Sequence, residues 1–314
     1  MIVTLTLNPS LDRTVEIGEL ARGAVIRAGS ARLDPGGKGV NVTRALLANG
    51  AASRAVVPCG GDEGEQLERL LHAEGVDVIA VPIAAHTRSN ISLAESDGTI
   101  TKINEPGPRL SSDELDAVAA AVQETAGRPG WVAACGSLPP GVPVEFYADL
   151  CRRCRSHGIQ VAVDTSGPAL LAAIDARPAL IKPNRDELAA AVGSPMATIQ
   201  DVVDAAQILR SWGAQAVLAS LGADGAVLVS DEGVTVGEAD VPRLRSSVGA
   251  GDALLAGFLA AGARGPDALL EALAWAGAAV SLPGSRMPAP ADIRRERVRI
   301  HPGPDLTRQL VTPL

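Results

Sequence analysis

Ser247-Val248-Gly249-Ala250-Gly251-Asp252 sets two glycines and a carboxylate ahead of a small, apolar, helix-forming run, Ala253-Leu254-Leu255-Ala256-Gly257-Phe258. A glycine-rich turn that opens a helix leaves amide N–H groups without intrahelical partners, and the helix dipole adds to their pull on an anion. Asp252 stands in that first turn, where the dipole favours an ionised carboxylate, a state suited to a general base beside a phosphate. A simple helix cap accounts for the same residue equally well. The spacing departs from the dinucleotide fingerprint, because Leu254 occupies the place of its third glycine. That departure, and the motif's position late in the chain, disfavour a nicotinamide dehydrogenase.

A second glycine cluster, Gly36-Gly37-Lys38-Gly39-Val40-Asn41, surrounds one lysine ahead of a helix. Backbone can approach a ligand closely there, and Lys38 supplies a point charge. It is not a Walker A loop, having no Ser or Thr after the lysine. Further polar clusters fall where strands should end: Asn8 to Asp12, Cys135-Gly136-Ser137, Lys182-Pro183-Asn184 and Ser220-Leu221-Gly222-Ala223-Asp224-Gly225. Ligands of open parallel sheets lie at such carboxyl ends. Asp12 and Asn41 suit sugar hydroxyls, and Arg88 suits either a phosphate or plain solvent. Asn184 and Glu187 have capping-box spacing, which is compatible with a second role facing a hydrated Mg2+. Together these residues point to phosphoryl chemistry.

The elements that must position them follow a β–α rhythm. Strand patterns at 2–7, 54–58, 76–81, 131–135, 160–163, 180–181 and 216–220 alternate with helix patterns, which predicts a parallel sheet covered on both faces. Asn8 to Asp12 reads as a turn, the helix after Gly39 as starting near Val42, and Asp62 with Glu65 as a helix start. Ser111-x-x-Glu114 is a capping box, and Pro143 reads as opening a helix. Alternating polar and apolar stretches at 14–17, 25–33, 88–95 and 99–104 break the rhythm, the last two joined by Ser96-Asp97-Gly98. They predict a small separate sheet near the N-terminal side of the main one, whose apolar face must be covered by closure over the site or by a partner subunit. A hairpin pattern at 226–236 and two helices at 251–263 and 267–282 close the fold, and the arginine-rich tail around Arg294 to Arg299 reads as a solvated face.

Composition sets the outer bounds. The chain has 314 residues, 46% of them apolar and only 2% aromatic, with a net charge of −8. That is enough chain for a full core, and it lacks both the stacking platforms and the basic surface that nucleic acids require. Of four cysteines, Cys151 and Cys154 form a C-x-x-C without companion ligands, so a shared helix face explains them better than a metal. With no basic leader and no apolar run of about 20 residues, a soluble, cytoplasmic enzyme is expected.

On Gly36 to Asn41 and Val248 to Asp252, about 210 residues apart, the chain resembles the phosphofructokinase B branch of the ribokinase-like sugar kinases. Lys182-Pro183-Asn184-x-x-Glu187 and Ser220 to Gly225 match as well, so the resemblance spans nearly the whole sequence. Thr6 to Asp12, Thr87-Arg88-Ser89-Asn90 and Ile103 to Gly107 resemble the 1-phosphofructokinase and tagatose-6-phosphate kinase group; Ala253 departs from the Ser often found there. The resemblance implies a single three-layer α/β/α domain over 1–314, with a mostly parallel central sheet and a small β-sheet lid inserted at about 12–35 and 86–105. It implies ATP-dependent phosphorylation of a ketohexose phosphate, fructose 1-phosphate in the first place, with tagatose 6-phosphate or fructose 6-phosphate as alternatives. A catalytically silent sugar-phosphate sensor is the reading from another class, and it predicts loss of the base.

Residue roles follow from the same resemblance. Asp252 takes the proton, while Gly249, Ala250 and Gly251 hold the transferred phosphoryl group. Asp12, Gly37, Asn41 and Ser137 belong to the sugar, and Lys38, Arg88 and Arg27 to its phosphate. Lys182, Asn184, Ser220, Gly222 and Gly225 belong to ATP, and Glu187 reaches Mg2+ through water. The expected partners are sugar phosphate and ATP, with a homodimer through the lid and neither nucleic acid nor membrane.

Overall fold

The computed structural model describes residues 1–127 and 130–311. Its first strand, β1 (Ile2–Thr6), is buried along its whole length. Alternate side chains serve opposite layers: Val3 and Leu5 join one apolar cluster, Ile2 the other. The chain continues through β2 (Ser10–Ile17), β3 (Ser30–Gly36), α1 (Lys38–Ala48), β4 (Ser53–Cys59), α2 (Gly61–Ala73), β5 (Val78–Pro82), β6 (Arg88–Glu95), β7 (Ile100–Asn104) and α3 (Ser112–Thr125). After them come β8 (Trp131–Cys135), α4 (Phe146–Ser156), β9 (Gln160–Asp164), α5 (Gly167–Asp175), β10 (Leu180–Ile181), α6 (Arg185–Val192) and α7 (Ile199–Trp212). The last elements are β11 (Val217–Ser220), β12 (Ala226–Ser230), β13 (Gly233–Ala239), α8 (Ala250–Ala260), α9 (Gly265–Val280) and β14 (Val298–His301).

Ten strands form one sheet in the order β14-β13-β12-β11-β10-β9-β8-β1-β4-β5. Pairing is parallel from β5 to β11 and antiparallel beyond. The β8 and β9 residues alternate as in β1, with Val132 and Val161 facing one layer and Ala133 and Ala162 the other. One layer is filled by α3, α4, α5 and α7, the other by α1, α8 and α9. This is the three-layer ribokinase-like arrangement expected. Cys151 and Cys154 both lie buried on one face of α4, in the first of these layers. Burial pushes their thiols up, to about 12 and about 11, which disfavours the thiolate a metal needs.

The four lid strands form the second sheet, β3-β2-β6-β7. It springs from the carboxyl ends of β1 and β5, not from the N-terminal side of the main sheet. β2 already begins at Ser10, because Ser10 to Asp12 pair with Gly36 to Asp34 on one side and Arg88 to Asn90 on the other. Two-sided ladder bonding overrides the turn propensity of Asn-Pro-Ser. β3, an edge strand paired with β2 alone, runs from Ser30 to Gly36 in register with Glu16 to Ser10, leaving residues 25–29 of the expected 25–33 strand in a loop.

Other boundaries move as well. α1 starts at Lys38, inside the glycine cluster, and α2 at Gly61, without a side-chain cap from Asp62. Pro143 precedes α4 by a turn, its carbonyl accepting from the Phe146 N–H at 3.0 Å. Part of the arginine-rich tail is an edge strand, β14, whose Val298 to His301 pair with Ala239 to Val236. The capping boxes at Ser111/Glu114 and Asn184/Glu187 form as their spacing predicts.

Candidate active site

Asp252 sits in the first turn of α8, and Gly249 is that helix's cap. Gly249 holds a left-handed conformation (φ 78°) that a side chain would strain, so the chain can enter the helix with its first amides uncovered. Neither the Gly249 nor the Gly251 N–H makes a backbone hydrogen bond among the described residues. Asp252 does no capping. Its Oδ2 accepts from the Asn41 Nδ2 at 2.9 Å, joining α8 to the first turn of α1. The carboxyl is buried, and burial together with the nearby Asp164 carboxylate pushes its pKa up to about 6. Asn41, Lys182 and Lys38 work in the opposite direction. The helix dipole therefore does not decide this group's charge; desolvation does.

Asp164, which no sequence motif marks, organises the charges around that carboxyl. It ends β9 and has no exposed surface. Lys38 Nζ lies 2.8 Å from its Oδ1, and Lys182 Nζ lies 3.1 Å from its Oδ2. Burial opposes its ionisation, but the two ammonium groups win and hold it below the ordinary carboxylate range. Burial likewise opposes the charge on Lys38, yet Asp164, Glu187 and Asp252 raise its pKa. Lys182 also lies beside Gly251, where an added Cβ would come within 3.3 Å of Nζ. One buried carboxylate thus sets two cations beside the glycine turn and Asp252. Its place at the carboxyl end of a parallel strand was the available signal.

The lid supplies a second polar set. Asp12 Oδ1 accepts from Ser10 Oγ at 2.6 Å and from Asn90 Nδ2 at 2.9 Å. Arg88 donates to the Glu105 carbonyl at 2.8 Å and to the Asn8 carbonyl at 3.1 Å. Its Nε–H is buried with no partner among the described residues, a donor suited to an anion. Asn8 donates in turn to the Pro106 carbonyl and to Ser137 Oγ, which brings Ser137 to the lid's base. A hollow of about 490 Å³ beside Arg88 is lined by Thr87, Ser89, Glu105 and Gly107 but does not reach Asp252. We therefore take the orphaned donor, not the hollow, as the marker of the site.

On the other flank, Asn184 and Ser220 share a bridge between neighbouring strand ends. Gly222 opens the 3-10 turn Gly222–Asp224 just beyond, and Gly225 follows it. Glu187 Oε2 is held by the Asn184 N–H, and Oε1 lies 3.7 Å from Lys38. No group of three or more His, Cys, Asp or Glu side chains able to hold a metal occurs among the described residues. The donor set fits a hydrated Mg2+ carried by phosphate oxygens, with Glu187 in an outer shell. Arg27 stands apart: it is exposed in the loop between β2 and β3, and among the described residues it makes no hydrogen bond or ion pair to this cluster. Lys38 is drawn toward Asp164 and Glu187, whereas Arg88 is held by the Glu105 and Asn8 carbonyls.

Three comparisons bear on this geometry. A family model described as pfkB family carbohydrate kinase matches residues 5–292. The chain is 37% identical to 1-phosphofructokinase of Rhodobacter capsulatus over 85% of both chains. It is 38% identical to 1-phosphofructokinase of Haloferax volcanii over 93% of this chain and 95% of that one. Its fold superposes on the crystal structure of phosphofructokinase-2 from Escherichia coli in complex with potassium with a TM-score of 0.88, at 34% identity, covering 93% of this chain and 96% of that one.

Proposed function

The chain belongs to the pfkB family of carbohydrate kinases and is a sugar-phosphate kinase; from that premise we propose that it transfers the terminal phosphoryl group of ATP to the 6-hydroxyl of fructose 1-phosphate. The observation that carries the reading is Asp252, a buried carboxyl poised near pH 6 at an uncovered helix start, tied to Asn41 and facing two lysines pinned by Asp164.

Asp252 accepts the hydroxyl proton as the sugar oxygen attacks the terminal phosphorus, and the bond from that phosphorus to the ADP oxygen breaks. A base with a pKa near the working pH combines availability with proton affinity. The unpaired amides of Gly249 and Gly251 and the ammonium groups of Lys38 and Lys182 meet the negative charge of the phosphoryl group in flight. Pinned on Asp164, both lysines need little reorganisation when that charge arrives. This moves Lys38 from the phosphate already on the sugar to the one being transferred. Arg88, with its orphaned Nε–H, keeps the sugar's own phosphate, and Asp12, Asn41 and Ser137 take hydroxyls. Asn184, Ser220, Gly222 and Gly225 face ATP. Mg2+, when bound, neutralises phosphate charge; Glu187 holds its water shell. Arg27 serves only if a second subunit brings its loop to the site.

The likeness to proteins named 1-phosphofructokinase supports the 1-phosphate, whereas the fold match to phosphofructokinase-2 keeps a 6-phosphofructokinase as the alternative. Tagatose 6-phosphate differs from fructose 6-phosphate by one hydroxyl's orientation and stays in the same test. The presence of Asp252 counts against a silent sensor. The experiment is a comparison of kcat/KM for fructose 1-phosphate, fructose 6-phosphate and tagatose 6-phosphate at saturating ATP. Preference for either 6-phosphate overturns the substrate assignment.

A further inference from the structure

Asp224 has no part in the mechanism above, yet it is among the few acidic side chains buried in the molecule, at 4% exposure. It closes the 3-10 turn between Ser220 and Gly225. Both of its carboxylate oxygens are engaged by one later segment: Arg308 Nη1 donates to Oδ1 at 3.1 Å, and the Val311 N–H donates to Oδ2 at 2.8 Å. Arg308 Nη2 also donates to the Asp224 carbonyl at 3.0 Å, so the guanidinium grips side chain and backbone together.

The same segment reaches the neighbouring helix starts. The Ile199 N–H donates to the Arg308 carbonyl at 3.1 Å and the Gln200 N–H to the Leu306 carbonyl at 2.8 Å, satisfying first-turn donors of α7 that have no intrahelical acceptor. The Leu310 N–H donates to the Ala197 carbonyl at 2.8 Å, and the Leu310 side chain is buried in the core. Arg185, the residue after Asn184, donates to the Val311 carbonyl at 2.7 Å. A single stretch thereby ties together Asn184's helix and the Gly222–Gly225 turn, the two loops on the nucleotide flank.

We infer that the segment Asp305–Val311 is a strap that positions the nucleotide side of the active site, with Asp224 and Arg308 as its positioning residues. The inference rests on the assignment of Asn184 and Ser220 to Gly225 to ATP. The physical reason is entropic. Gly222 is exposed, both glycines of the turn have positive φ, and a loop of this kind stays ordered only if something outside it fixes its backbone. A buried carboxylate held on both oxygens does so, and the ordering cost is then met before the nucleotide arrives. By linkage, a nucleotide that prefers the ordered loop must also tighten the strap.

Hydrogen exchange on the unaltered protein, with and without saturating ADP, tests both levels. ADP is expected to slow exchange at the amides of Ser220 to Gly225 and also at Ile199, Gln200, Leu310 and Val311. Slowing at Ser220 to Gly225 alone overturns the strap; no slowing at either overturns the nucleotide assignment beneath it. Kinetics give the second arm. Asp224→Asn and Arg308→Gln are expected to raise KM for ATP by about five- to twentyfold while KM for the sugar phosphate changes less than about twofold, with Arg308→Lys recovering part of the loss. Equal movement of both constants, or of neither, contradicts the inference. Should these variants fail to fold, the exchange measurement decides alone.

Discussion

On the proposed mechanism, the charge state of Asp252 sets how turnover depends on pH. Asp252 is pushed up to about 6, so kcat/KM is expected to fall about tenfold per pH unit below that value, as the base fills with its proton. A flat profile between pH 5 and 8 excludes it as the base. Asp252→Asn keeps shape and hydrogen bonding but cannot accept a proton; kcat is expected to drop about 10²–10⁴-fold with ADP affinity unchanged in calorimetry. The same substitution bears on stability. Because the folded-state pKa is raised above the unfolded value, near 3.8, folding favours the protonated form. Stability therefore declines as pH rises from about 4 to about 6 and stays lower above it, by about 3 kcal/mol. Asp252→Asn should then melt higher than the parent at pH 8, with the gap closing below pH 4. An equal gap at both pH values argues against the buried charge as its source.

At the scale of elements, the proposed mechanism gives the start of α8 and the lid separable roles. Gly249→Ala forces a side chain into a left-handed conformation, at about 1–2 kcal/mol, and sets its Cβ 2.7 Å from the Met287 methyl. Turnover should fall with it, since the exposed amides are defined by that turn; unchanged turnover separates the amides from the chemistry. On the lid, Arg88 is already braced by the Glu105 and Asn8 carbonyls, leaving its Nε–H free. Arg88→Ala should raise KM for the sugar phosphate far more than KM for ATP. An equal rise in both removes Arg88 from the sugar side.

For the molecule as a whole, the small sheet leaves part of an apolar face uncovered. Strand register puts Asp12, Arg88 and Asn90 on one face and Val15, Leu33, Ile91, Leu93 and Ile103 on the other. Ile103 is 54% exposed and Ile91 beside it is also exposed. A sheet with one uncovered apolar face is a ready surface for a second copy, and we propose a homodimer through it. Light scattering at working concentration should give twice the chain mass, and Ile91→Asp with Ile103→Asp should give a monomer; a monomeric parent protein refutes the interface. No helix among the described residues is long and apolar enough to cross a membrane.

The two glycine clusters, their order and the β–α rhythm made the fold and the phosphoryl chemistry legible in the sequence, because helix starts, strand ends and capping boxes are local and depend on neighbouring residues. Asp252 stood out in the sequence, but cap and base need the same residue type at the same place, so its local spacing fits both and only the family resemblance implied the base. Tertiary structure bears on that choice by burying the carboxyl and setting Asn41, 211 positions away, against it. Asp164 was hidden for the same reason. Nothing local distinguishes a strand-end aspartate from any other, whereas its two lysines come from 126 and 18 positions away. Residue types and short spacings determined which chemistry was on offer; desolvation and long-range charge pairing, which exist only once the chain has folded, decided which groups are poised to perform it.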